Sequence, residues 1–208
     1  MALFRDKDEA KGGNYKVKST RVYCSEDPLL DNERRYRKVY DAKEVNFIFC
    51  EFHFYNKLFD EFEWEAEIEF ICVNKVSGEQ ICKLAKKIVV PLNRNEIKVR
   101  DGWGVKNRNW WKPGVYSWKI ILDDKEVGEA TFYITNKGKP TIGHNPIFSI
   151  NQIKLFESDK IPEQLGKRTY LNQFSKAARF VNVELTLDFE FDLKDYPLEF
   201  LFNIEHIT

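Results

Sequence analysis

The sequence predicts an all-β protein made of tandem immunoglobulin-like antiparallel β-sandwiches, the second of them incomplete. Three observations favour this class: short segments alternate apolar and polar residues, turns marked by Gly and Pro separate them, and no convincing amphipathic helix exceeds a few turns. Side chains on a strand alternate between faces, so a period of two keeps the apolar residues on one side of a sheet. The Cys and Trp spacing of antibody domains is missing, and only the architecture is predicted.

Two segments show the strand patterns most clearly. In residues 62–70, apolar residues occupy one parity and glutamates the other, which predicts a half-exposed strand with an acidic outer face. Residues 45–54 are apolar on both parities, which predicts a central strand covered on both sides. Pro113-Gly114 predicts a type II turn, in which Gly accepts a positive φ. Further strands are expected at 81–90, 96–100, 115–122 and 127–134, the last two joined by a hairpin turn at 123–126.

The chain also repeats itself, which predicts two copies of one module. Segments 18–23, 36–40, 45–55 and 64–70 match segments 151–156, 170–174, 179–191 and 196–202. We therefore expect a flexible leader at 1–14, a first β-sandwich at 15–136, a linker at 137–146 and a second, truncated β-sandwich at 147–208. No later residues match the hairpin at 115–134. The sequence is then a piece of a longer polypeptide, our preferred explanation, or another chain or the first module fills the gap.

Composition restricts the function classes. Lys plus Arg and Asp plus Glu both number 33, so the basic excess typical of nucleic-acid binders is missing. No apolar run is long enough to span a bilayer, and the first residues lack a signal-peptide pattern. The four cysteines match neither a disulfide scaffold nor a metal knuckle, which predicts buried thiols in a reducing compartment. These cysteines are Cys24, Cys50, Cys72 and Cys82. Together, these observations predict a cytoplasmic protein that binds neither nucleic acid nor membrane.

Residues that usually carry catalysis are sparse and isolated. His53, His144 and His206 lack the spacing of a metal site or an acid–base pair. No nucleophile elbow, Walker or dinucleotide motif is present. Alternate glutamates from Glu61 to Glu69 form a stripe rather than a cage, so we expect a solvated face with cross-strand partners from Lys83, Lys86 or Lys87. The prediction is a chain that is not an enzyme and holds no cofactor or metal.

Three tryptophans in a loop-like stretch are the candidate binding residues: Trp103, Trp110 and Trp111. Exposed Trp serves as a hot spot for a protein partner, or stacks on sugar rings. The alternative is that this loop folds over the end of the sandwich and plugs it. Both interpretations remain open from the sequence, and we assign the three residues to a protein-partner surface.

Several motifs resemble a known family. They are segments 17–24, 51–61, 101–104 and 127–134, with 145–157 resembling the start of a further repeat. The chain resembles the N-terminal β-sandwich repeats placed ahead of the ATPase domain in some bacterial AAA-family proteins of the Rubisco-activase-like type. The resemblance implies an accessory region that recruits partners or substrates to an ATP-driven ring. Since no Walker motif is present, it assigns ATPase activity to no residue here.

We therefore expect a non-enzymatic interaction module that binds another protein or itself. The alternatives are a structural protein that self-assembles by strand exchange, and a carbohydrate-binding sandwich.

Overall fold

The computed structural model describes residues 13–25, 34, 36–139, 141, 145–159 and 168–192. Within these ranges every regular element is a β-strand, which confirms the all-β prediction. The chain divides into two compact units between Gly138 and Lys139. Most of the predicted leader, His144, His206 and the repeated segment 196–202 lie outside the described residues.

The first unit is a sandwich of two sheets. A three-stranded sheet has the order β1-β3-β6, and a five-stranded sheet has the order β2-β8-β7-β4-β5. All pairs are antiparallel except β2 with β8. This division of strands between two sheets is that of an immunoglobulin-like sandwich. The strands are β1 Tyr15–Ser25, β2 Val39–Asp41, β3 Phe47–Asn56, β4 Trp64–Asn74, β5 Gln80–Val90, β6 Glu96–Gly104, β7 Gly114–Leu122 and β8 Lys125–Thr135.

The core lies between the inner faces of the two sheets. Alternation along β3, β4 and β7 points one side chain in two inward, as the sequence pattern predicts. Aromatic rings fill much of the space: Phe70 meets Trp118 edge-on with centroids 6.5 Å apart, and Tyr116 stacks on Phe132 at 5.5 Å. The fully buried inward side chains include Ile48, Phe52, Phe54, Ile68, Phe70, Trp118, Ile120, Leu122 and Phe132.

Two predicted turns differ from the structure. Gly114 does not have a positive φ and begins β7, so the predicted type II turn at Pro113-Gly114 is wrong. The β7–β8 hairpin is confirmed, but its turn is tighter than expected, with only Asp123 and Asp124 between the strands. Their φ values of +47° and +63° fit a type I′ turn.

Asp123 also ties this hairpin to β4. Its carboxylate Oδ1 accepts a hydrogen bond from the Glu67 amide at 3.0 Å, and its own amide donates to the Glu67 carbonyl at 3.0 Å. Asp tolerates the left-handed region better than most residues. The carboxylate bond, which glycine could not make, explains why an aspartate stands at this position.

The second unit contains an antiparallel pair, β9 Phe148–Ser158 and β10 Phe180–Phe189. Its register reproduces that of β1 and β3: Ser25 pairs with Phe47, and Ser158 pairs with Phe180. Both pairs also carry a bulge at the same place, at Lys18 in β1 and at Asn151 in β9. The tandem architecture is confirmed for these strands. Since Phe47 corresponds to Phe180, the predicted match of 45–55 with 179–191 is displaced by one residue at its start.

Truncating a core ring of β3 will destabilise the first unit. We expect Phe52→Ala to lower the free energy of unfolding by about 3–5 kcal/mol, because a large buried ring is replaced by a cavity. Equilibrium unfolding in urea, followed by Trp fluorescence, measures the change. All five tryptophans precede residue 119, so the signal reports the first unit. Phe62→Ala is the matched control, since that ring is 52% exposed; equal losses in the two variants would contradict the assignment of the core.

Candidate functional site

The tryptophan-bearing loop joins β6 to β7 and occupies residues 105–113. The structure separates the three candidate residues by exposure. Trp111 is 1% exposed, whereas Trp103 and Trp110 are each 38% exposed. The two interpretations of the loop therefore apply to different residues: one tryptophan is a core residue, and two remain at the surface.

Trp111 plugs the sandwich. Its ring packs edge-on against Tyr116 and Phe132, with centroids 5.3 and 5.8 Å away. Its indole Nε1 is buried and lacks a hydrogen-bond partner. A buried donor without a partner is unfavourable, so ring packing must outweigh that loss. Trp111 offers no surface to a partner and instead anchors the loop.

Trp110 stands on the solvent side of this anchor. Its ring meets that of Trp111 edge-on, with centroids 5.2 Å apart. The preceding Asn109 has a φ of +66°, and its amide donates to the carbonyl of Ala42 at 3.3 Å. The ammonium of Lys112 donates to the Asn109 carbonyl at 3.2 Å. The backbone around Trp110 is thus held on both sides, and the exposed ring has a fixed base.

Basic residues are close to Trp110 in the sequence of the loop. Lys106, Arg108 and Lys112 are exposed in the same loop, although the whole chain has no net charge. A loop that carries an exposed apolar ring and basic side chains is suited to a partner that presents an apolar pocket and acidic groups.

Trp103 lies at the end of β6, between two glycines whose role the sequence did not explain. A Cβ on Gly104 would lie 2.0 Å from the Asn46 carbonyl oxygen, and one on Gly102 would lie 2.3 Å from the Phe49 ring. The Gly-Trp-Gly motif therefore follows from the close approach of β6 to β3. It is a packing requirement and not by itself a binding signature.

His53 is the best placed histidine among the described residues. Its Nε2 lies 3.1 Å from Glu96 Oε2, and the Lys18 ammonium lies 2.6 Å from Glu96 Oε1. Burial and the positive charge of Lys18 lower the pKa of His53 more than Glu96 raises it. No group of three metal-ligating side chains occurs in the described part of the chain.

The acidic stripe on β4 is partnered as predicted at one position. Lys83 lies 2.7 Å from Glu69, and Lys87 stands opposite Glu67 in the strand register. The third predicted partner was wrong: Lys86 lies on the other face of β5 and binds Asp101 at 2.7 Å and the Arg100 carbonyl at 2.7 Å. Among the described residues the stripe therefore has one ion pair, Lys83 with Glu69, and one Lys opposite a Glu in the register.

None of the four cysteines, all of them in the described part of the chain, forms a disulfide, and three are buried. Cys72 on β4 lies directly opposite Cys82 on β5, and both face the core with Cys50. Burial raises the pKa of Cys50 and Cys72, and raises that of Cys82 to about 11. Cys24 is partly exposed, and its Sγ lies 3.5 Å from the Arg37 guanidinium.

A polar cluster on the outer face of β1 and β3 escaped the sequence reasoning. Both oxygens of the Glu51 carboxylate are engaged: Arg34 Nη1 lies 2.5 Å from one, and the Tyr36 hydroxyl donates to the other at 3.0 Å. The guanidinium of Arg21 lies 5.3 Å from the centroid of the Tyr36 ring, and that of Arg34 lies 5.8 Å from the Tyr23 ring. Glu51 is buried, and each of its carboxylate oxygens has a partner.

The second unit reproduces this cluster. Glu184 accepts from Arg168 and, at 3.1 Å, from the Tyr170 hydroxyl. Lys154 lies 4.6 Å from the centroid of the Tyr170 ring, and Arg168 lies 5.6 Å from that of Phe156. The signal available in the sequence was an Arg-x-Tyr triplet ahead of each repeated strand, at 34–36 and 168–170.

A small cleft opens at the edge of the first unit between Tyr15, Trp64 and Asp123. Its volume is about 120 Å³, below the range of about 300–1,000 Å³ usual for small-molecule sites.

Every regular element in the described part of the chain is a strand, so these residues contain no apolar helix of membrane-spanning length.

Comparison with known proteins adds fold-level likenesses only. No protein-family model and no curated protein matches the chain. An immunoglobulin-like protein from Pseudomonas aeruginosa is 10% identical with a TM-score of 0.35, and the alignment covers 59% of this chain and 98% of that one. The alkylpurine DNA glycosylase AlkC of Pseudomonas fluorescens, bound to DNA, is 13% identical with a TM-score of 0.39; 59% of this chain aligns to 31% of AlkC.

A glycosyl hydrolase family 2 member from Bacteroides cellulosilyticus is 16% identical with a TM-score of 0.33, covering 41% of this chain and 12% of that one. This chain therefore spans about a third of AlkC and less of the hydrolase. At these scores the similarities carry no inference about activity.

The two neighbouring tryptophans will differ in their effect on stability. Trp111→Ala should lower the free energy of unfolding by about 3–5 kcal/mol, because it empties the end of the core. Trp110→Ala should lower it by clearly less, because its ring is 38% exposed and its removal leaves no enclosed cavity in the core. Urea unfolding followed by circular dichroism compares them without depending on the mutated fluorophore. Equal losses would show that the loop is not anchored through Trp111.

The first unit will lose stability in mild acid through His53. The unfolded chain takes up a proton near pH 6.5, whereas the folded protein resists it because the pKa of buried His53 is lowered. Stabilisation present above about pH 6.5 is therefore lost as the pH falls toward the folded-state pKa. The loss of stability is measured as the difference between the urea midpoints at about pH 7.5 and about pH 5.5. Both values lie above the range in which most carboxylates titrate, so the difference reports mainly on histidine. His53→Gln should reduce the difference between the two urea midpoints. An unchanged difference would show that His53 does not cause the loss of stability.

Proposed function

We propose that this chain is a non-enzymatic protein-interaction module, and that it recruits partners or substrates to an AAA-type ATPase in the cytoplasm. The observation that carries the proposal is the exposed ring of Trp110, which stands on a loop anchored by buried Trp111. Interface hot spots are enriched in Trp and are strongest where the side chain is held before binding.

Anchoring lowers the entropy lost on binding. Asn109 and Lys112, on either side of the tryptophan pair, make backbone and side-chain hydrogen bonds within the first unit. A partner that encloses the Trp110 ring therefore orders little additional chain. Lys106 and Arg108, exposed in the same loop, favour a partner with acidic groups and speed its encounter at low salt.

The ATPase part of the proposal comes from the resemblance of segments 17–24, 51–61, 101–104 and 127–134 to accessory repeats of AAA-family proteins. In such an arrangement the sandwich contributes recognition, and the ATPase contributes the chemical energy. The chain itself needs no nucleotide site for this role.

A carbohydrate-binding sandwich is the second candidate, since Trp103 and Trp110 each leave more than a third of their surface exposed. Stacking on a sugar uses the faces of the tryptophan rings and does not require the basic side chains of the loop. The two candidates therefore differ in salt dependence, because binding to neutral sugars is insensitive to ionic strength whereas an acidic protein partner is screened.

The proposal is tested by placing a photo-crosslinking phenylalanine analogue at position 110 in the full chain and irradiating it in cells. We expect a discrete protein adduct that contains an AAA-type ATPase or one of its substrates. The purified adduct partner should then bind the wild-type chain, and Trp110→Ala should weaken that binding by about tenfold or more, as expected of a hot spot.

The matched control carries the same analogue at Val76, which is 81% exposed in a turn of the first unit. Identical adducts at both positions would indicate collisional labelling and contradict the proposal. A partner whose affinity is unchanged in Trp110→Ala would also contradict it. Binding of a neutral oligosaccharide with quenching of Trp fluorescence would favour the second candidate.

A further inference from the structure

The second unit repeats the first closely enough to show where a strand is missing from its described part. In the first unit β3 is bordered by β1 on one edge and by β6 on the other. In the second unit β10 is bordered by β9, and no described residue pairs with its other edge. The shared register and the shared bulge make β10 the counterpart of β3, so the open edge corresponds to the edge that β6 occupies.

The residues on this edge are more exposed than their counterparts. Val181 and Val183 are 47% and 37% exposed, whereas Ile48 and Cys50, at the same places in β3, are fully buried beside β6 and in the core shared with the five-stranded sheet. On the outer face, the Glu184 side chain is 26% exposed and that of Glu51 only 6%. Glu51 and Glu184 make the same bonds within their own units, so the difference arises from what lies beside them.

Strand β6 defines the chemistry that fits beside such a glutamate. Arg100 stands opposite Glu51 and Lys98 opposite His53, on the outer face. On the inner face, Val99 stands opposite Phe52, and both are buried. The β6 pattern is therefore apolar toward the core and basic beside the acidic cluster.

We propose that the open edge of β10 is a docking site for an extended partner strand of the β6 type, antiparallel to β10. Its apolar side chains would lie beside Leu185 and its basic side chains beside Glu184 and Thr186. Such strand addition gains main-chain hydrogen bonds from the edge and selectivity from alternate side chains. The site uses residues of the other unit and goes beyond the proposed function, because it does not require the tryptophan loop.

The probe is a synthetic peptide of residues 94–105 of this chain, which contains β6, labelled with fluorescein and titrated with the full-length protein. Fluorescence anisotropy should show saturable binding. Thr186 is exposed, and its partner on β9 is the neutral Gln152, so charge can be placed there without breaking an ion pair. In the proposed register, position 186 stands opposite peptide residue Lys98.

Charge at position 186 should then set the affinity. We expect Thr186→Glu to tighten binding and Thr186→Lys to weaken it, each by about two- to fivefold, the size of one cross-strand charge pair. A peptide carrying Lys98→Glu should reverse this order. Trp110→Ala should leave the affinity unchanged, which separates this site from the proposed function.

Three results would overturn the proposal. The first is the absence of saturable binding. The second is an order of affinities that the Lys98→Glu peptide does not reverse, since a peptide that exchanges with β6 in the first unit would be insensitive to residue 186. The third is concentration-dependent self-association, measured by light scattering, that the peptide reverses by competition; a second copy would then be the occupant of the edge.

Discussion

Burial of β3 on both faces is the constraint on which the first sandwich depends. Its inward side chains contact the opposite sheet, and its outward side chains include the charged Glu51 and the titratable His53. A carboxylate removed from water must be paired and hydrogen-bonded to be tolerated. The position of Arg34 and Tyr36 over the sheet follows from that requirement, because they supply the partners that Glu51 needs.

The same solution appears in the second unit, where Arg168 and Tyr170 converge on Glu184. The repeat is therefore more than a hydrophobic pattern: it preserves a polar arrangement, a backbone bulge and a strand register together. In each copy the arrangement joins the segment before the paired strand to the sheet itself. Tyr36 and Tyr170 each also form a single bridge to the first strand of their unit.

Much of the fold follows from the sequence because alternation has a physical cause. The parity of Glu65, Glu67 and Glu69 is enough to predict which face of β4 points to solvent. Alternation does not determine how two sheets close at their ends, so the burial of Trp111 beside an exposed Trp110 required the structure. The prediction that Lys86 is a partner of the acidic stripe was wrong for a related reason. Both parities of 84–87 contain polar or small residues, and the face of β5 that meets the core was ambiguous.

The polar cluster was hidden because its members are separated in sequence and share no motif spacing with a catalytic site. Arg34 and Glu51 are 17 residues apart and meet only after β1 and β3 pair. Turn chemistry was misjudged where tertiary bonds override local preference, as at Asp123, whose carboxylate is held by the Glu67 amide.

The three core thiols can report the transient opening of the first sandwich. Cys50, Cys72 and Cys82 are shielded by the sheets, and with raised pKa values few are thiolates at neutral pH. Alkylating reagents therefore reach them chiefly when the two layers part. The rate of their alkylation therefore reports how often the sheets separate. Cys24, which is partly exposed, gives the alkylation rate of an accessible thiol in the same molecule for comparison.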